Sequence, residues 1–89
     1  MKLHIHVQKV DEIVEVKDAE EALRRTKQEA AKRAPLLLRP VVNAMSDLTF
    51  AAEAVKRYNG ESGRDDKIPT SAQEFLDWAI ERGFVTIVQ

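Results

Sequence analysis

The two ends of this chain read as strands, and what lies between them reads as helices. The last apolar run, Phe84-Val85-Thr86-Ile87-Val88, is β-branched and uncharged. Left unpaired, such a strand would present an open edge to any passing chain. The first residues offer it a partner. Over residues 2–8, Leu3, Ile5 and Val7 point one way, while Lys2, His4, His6 and Gln8 point the other. Lys9 to Asp11 follows as a turn. Ile13-Val14-Glu15-Val16 then reads as a second strand, with Val14 and Val16 on the buried side. Strands this close in sequence pair most simply as an antiparallel hairpin. One small sheet that takes up the C-terminal strand is therefore expected.

Three helices fill the interval. The first opens at Asp18, where an N-cap acceptor stands three residues before Glu21, and it ends near Arg33 before Ala34-Pro35. Its inward face is Ala19, Ala22, Leu23, Thr26, Ala30 and Ala34, of which only Leu23 is bulky. The second helix lies within the apolar centre, Leu36 to Asn59. Pro40 suits its first turn, and Val41, Met45, Leu48, Ala52 and Val55 recur at steps of three and four, widened by Leu37, Leu38, Ala44 and Ala51. Asn59-Gly60 is the expected stop, followed by a polar loop to Pro69. Thr70 or Ser71 caps the third helix, since both Thr70 with Gln73 and Ser71 with Glu74 have capping-box spacing. Ala72, Phe75, Leu76 and Ala79 form its inner face, Trp78 and Ile80 flank it, and Gly83 ends it with Phe84 packing back. The expected fold is a small single-domain α+β protein over residues 1–89. Its order is ββαααβ, a three-stranded, mainly antiparallel sheet with helices on one face.

Composition narrows the function classes. The 89 residues carry 14 bases and 15 acids, for a formal charge of −1, so no global basic field points to nucleic acid. Cysteine is absent, which removes thiol nucleophiles, zinc ribbons, iron–sulfur clusters and disulfides together. The opening residues lack the ~7–15-residue apolar core of an export signal, and nothing approaches the ~20 apolar residues of a membrane span. The longest bulky apolar run, Leu36-Leu37-Leu38, stops at Arg39. The expected compartment is the cytoplasm, with no membrane and no cofactor.

Few residue patterns offer chemistry. His4 and His6 are the only histidines, and their spacing puts both rings on one strand face. A metal needs three or four oriented ligands, so a carboxylate such as Glu15 would have to join them. The plainer reading is a solvent face beside Lys2 and Gln8. The loop Gly60 to Lys67 has neither the Gly-Lys-Ser/Thr ending of a phosphate loop nor the alternating acids of a calcium loop. Asp65 and Asp66 read there as solvated loop residues. No Gly-x-Ser-x-Gly elbow occurs. A capped helix followed by a strand at the C-terminus has the element order of a recognition helix and wing. That helix carries Gln73, Glu74, Asp77 and Glu81 against Arg82 alone, a poor groove reader.

Charge is unevenly placed. Residues 11–23 hold six acids and one base, and residues 24–40 hold six bases and one acid. The basic stretch could contact phosphates through Arg24, Arg25, Lys27, Lys32 and Arg33. Acids first and bases last is also what a helix dipole favours, and Glu20–Arg24 and Glu21–Arg25 have i,i+4 spacing. The apolar supply exceeds what a domain this small readily hides. These features together lead to a non-enzymatic interaction module that associates with itself, a homodimer being the simplest case. Met45, Phe50, Tyr58 and Trp78 are its candidate contact residues. A nucleic-acid regulator using the five bases is the alternative.

Overall fold

The computed structural model describes residues 1–7 and 10–88. Strands β1 (Lys2–Val7) and β2 (Val10–Glu15) form the hairpin. The second strand thus begins before Ile13 and takes in Asp11, while Gln8 of the expected first strand and Lys9 of the expected turn lie outside the described residues. Strand β3 (Val85–Val88) pairs antiparallel with β1, giving the order β2-β1-β3 with the two chain ends brought together in one sheet. In register, Leu3 stands opposite Val14 and Ile87, and Ile5 opposite Glu12 and Val85. The alternation of β1 therefore sorts the sheet into faces. Leu3, Ile5, Val14 and Val85 are buried on one, with Val16 just beyond β2. His4, Ile13 and Thr86 form a row on the other.

Helix α1 (Ala19–Arg33) starts as its cap predicts, with Asp18 accepting from the Glu21 N–H at 2.9 Å. Glu21 reaches back to the Lys17 N–H at 3.1 Å, one residue before the cap. Ala19, Ala22 and Leu23 of α1 meet Ala72, Phe75, Leu76 and Ala79 of α4 (Ala72–Glu81) in the core, with alanines on both sides. Such small side chains allow the helix backbones to approach closely.

The expected second helix is two helices. Helix α2 (Arg39–Ala44) ends where Met45 turns to extended backbone, and α3 (Asp47–Ser62) restarts with Ser46 accepting from the Thr49 N–H at 3.1 Å. Periodicity runs through the break, but Ser46-Asp47 is itself a start signal: an N-cap hydroxyl and an acid at the positive end of a helix dipole. Helix α3 turns Ala51 and Val55 into the core, and α2 buries none of its residues. The stop also lies later than Asn59-Gly60. The helix runs on to Ser62, and Gly63 at φ 68° takes the left-handed position.

Ser71 caps α4, accepting from the Glu74 N–H at 3.1 Å, while Glu74 accepts from the Thr70 N–H at 3.0 Å. At its other end the Gly83 N–H reaches the Ile80 carbonyl and the Phe84 N–H reaches the Ala79 carbonyl, a Schellman ending with Gly83 at φ 83°. An added Cβ at Gly83 meets no atom within 4 Å, so only the backbone resists substitution. Gly83→Ala is expected to cost about 1 kcal/mol, read by chemical denaturation. Among the described residues no helix is long and apolar enough to cross a membrane.

Candidate interaction surfaces

The most developed polar contact in the molecule gathers around Asp66. Asn59, held on α3, grips its backbone twice: Nδ2 donates to the Asp66 carbonyl at 2.9 Å, and the Asp66 N–H donates to Oδ1 at 3.0 Å. The carboxylate then accepts from Trp78 Nε1 at 3.0 Å and from Arg64 Nε at 3.1 Å, with Arg82 Nε 3.5 Å away. The Trp78 hydrogen bond is the largest influence on this carboxyl, and with Arg64 and Arg82 it holds the group below its ordinary range although burial pulls the other way. Asp66 is therefore a clamp between the loop and α4, and not the solvated loop residue expected. Its side chain is 12% exposed.

Trp78 is the other half of the clamp. Its ring lies 5.3 Å from Tyr58, 5.7 Å from Phe75 and 5.6 Å from Phe84, all within the range of favourable aromatic pairs. Phe50 joins through Phe75 at 6.4 Å. Three of the four residues expected to meet a partner, Phe50, Tyr58 and Trp78, thus form one half-buried aromatic group within the chain. The fourth, Met45, sits at the α2–α3 junction, where its carbonyl accepts from Lys27 Nζ.

Beside the clamp, a groove of about 370 Å³ opens between α4 and the loop before it. Pro69 and Trp78 supply its apolar part, and Asp66, Glu74, Asp77 and Glu81 with Lys67 and Arg82 its charged lining. The Thr70 N–H, then Lys67, keeps the Glu74 carboxyl below its ordinary range.

Elsewhere, apolar side chains stand in solvent. Leu36, Leu37, Leu38 and Val41 are 75%, 90%, 49% and 51% exposed. They follow one another along the turn into α2, as a shoulder at the C-terminal end of α1. Arg39 folds back over it, donating from Nε to the Ala34 carbonyl at 3.2 Å and from Nη2 to the Lys32 carbonyl at 3.1 Å. The helical stripe expected of Leu37, Leu38 and Val41 is thus not turned inward. The signal in the sequence was the run Leu36-Leu37-Leu38 itself, packed between two prolines that keep it from joining either helix interior.

The five bases of the alternative reading are mostly engaged. Lys27 reaches Met45 and Asp47, Arg24 pairs with Glu21 at 3.4 Å, and Lys32 and Arg33 share Glu29 at 3.2 and 2.8 Å. Lys32 first, and Arg33 with it, hold the Glu29 carboxyl below its ordinary range. Glu21 meets Arg24 in place of the anticipated Arg25. Of the two histidines, His4 Nε2 contacts Asp11 and His6 Nε2 lies 3.0 Å from Thr86 Oγ1. Among the described residues no group of three His, Asp or Glu side chains is arranged to hold a metal ion.

No family model matches this chain, and neither the curated proteins nor the solved structures searched give a match. Any functional reading therefore rests on the surfaces just described.

Proposed function

We propose that this chain is a non-enzymatic, intracellular interaction module that associates with itself through the apolar shoulder at the turn into α2. The supporting observation is the exposure of Leu36, Leu37, Leu38 and Val41 in one continuous stretch. Scattered apolar side chains on a surface are ordinary, whereas consecutive ones mark contact sites. A cysteine-free chain is compatible with a reducing compartment.

Magnitudes set the expected strength. Burying an aliphatic side chain contributes about 1.5–3 kcal/mol. Association costs about 4–15 kcal/mol in lost freedom. Four such residues contribute about 6–12 kcal/mol at full burial, so at most about 8 kcal/mol survives the cost and the association falls between micromolar and millimolar. Sedimentation velocity across that range should show the mass rising with concentration, and the rise should persist in high salt. Duplex binding by the five bases would instead fall steeply with salt. Leu37→Glu should give a monomer with unchanged circular dichroism, because Leu37 makes little contact at home. A wild-type chain that stays monomeric at every concentration would sink the reading.

A further inference from the structure

We propose that the self-association is head-to-tail: the shoulder Leu36–Arg39 of one copy seats in the groove between α4 and the loop 66–69 of the next. This rests on the self-association reading and specifies its geometry.

The charge around each surface carries the argument. At the shoulder stand Lys32, Arg33 and Arg39, with Glu29 as the acid paired to two of them. A twofold interface lays the same patch against itself, so a dimer built on the shoulder would bring two such basic clusters together. Like charges in a partly dry contact oppose association. The groove has the opposite sign. Its lining sets Asp66, Glu74, Asp77 and Glu81 against Lys67 and Arg82, and Arg82 lies 2.7 Å from Glu81 and 3.5 Å from Asp66. Three bases to one acid at the shoulder thus face four acids to two bases at the groove. The groove also has an apolar floor in Pro69 and the half-buried Trp78. Its volume, about 370 Å³, is near the small end of ligand sites at roughly 300–1,000 Å³. A leucine with a neighbouring arginine suits it in size and in charge. Because shoulder and groove are different surfaces, each pairing leaves one of each unfilled, and copies add in rows or close into a ring.

Mixing two defective variants tests this geometry. Leu37→Glu spoils the shoulder and leaves the groove intact. Asp77→Lys/Glu81→Lys spoils the groove and leaves the shoulder intact, and lysines near the end of α4 suit its dipole. Each variant alone should sediment as a monomer, and an equimolar mixture should give a one-to-one dimer that grows no further. Should the double reversal disturb the circular dichroism, Asp77→Asn/Glu81→Gln takes its place. Sodium chloride should weaken the wild-type association without abolishing it, whereas a basic twofold dimer would tighten. If the wild type associates but the mixture stays monomeric, or Leu37→Glu alone still associates, the head-to-tail geometry is overturned. If the wild type never associates, the self-association reading itself fails.

Discussion

Leu23→Ala should lower the stability of this protein by about 3 kcal/mol, within the range for truncating a buried leucine. A domain of this size has roughly 5–13 kcal/mol in all, so the loss is a large share. Leu23 is 2% exposed and is the bulky residue on an otherwise alanine inner face of α1. That setting decides the size of the effect. A cavity costs less where long side chains swing in to fill it; Ala19, Ala22, Ala72 and Ala79 have no such reach, which leaves Phe75 and Leu76 of α4 to close part of the space. On the α1 side, the close contact with α4 that the alanines permit therefore depends on one leucine. Chemical denaturation followed by circular dichroism should show the midpoint fall with an unchanged slope. A thermal midpoint lower by about 15 °C should accompany it. Leu23→Met, which keeps the volume, should cost less than about 1.5 kcal/mol. A loss under about 1 kcal/mol for the alanine variant would mean that the helix pair is looser than its burial implies.

What was legible in the sequence divides along the range of the interactions. The β1 alternation, the caps at Asp18 and Ser71 and the Gly83 ending each lie within a few residues of chain, and each forms as its pattern requires. That β3 joins the hairpin in one sheet followed from the need to cover an apolar edge, whereas its place beside β1 had no signal in the chain. The break at Met45-Ser46 was hidden because apolar spacing continues across it, and spacing alone does not register a change of axis. Gly60 misled for a related reason. A helix tolerates glycine at a cost of about 1 kcal/mol, and here Asn59 is held in α3 by its two bonds to Asp66. The Asp66 clamp had no local signal at all. Its partner Trp78 stands twelve residues away on another element. The exposed shoulder was obscured by the same apolarity that marks it, since leucines at helical spacing look like core until the neighbouring helix is placed.

Trp78→Ala should be the second severe change, costing about 3 kcal/mol. It removes the ring shared by Tyr58, Phe75 and Phe84 and takes away the N–H that Asp66 accepts. Trp78→Phe separates the two losses, because a phenyl ring keeps most of the packing and donates nothing. The separation shows in the pH dependence. Asp66 has its folded pKa lowered, chiefly by the Trp78 N–H, so its ionised form is favoured by folding. Its contribution is complete above the ordinary carboxylate range and disappears as pH falls through the lowered folded value. Glu29 and Glu74 are lowered by other partners, and their part of the acid limb should survive in the phenylalanine variant. The stability gap between wild type and Trp78→Phe should thus be widest near neutrality and close in acid. In an Asp66→Asn background that pH-dependent part of the gap should vanish. Denaturation midpoints of the four proteins, followed by circular dichroism because Trp78 is the sole tryptophan, measure it directly. A gap that stays constant from neutral to acid pH would show that the indole contributes packing alone, and that Asp66 is held by its arginines and by Asn59.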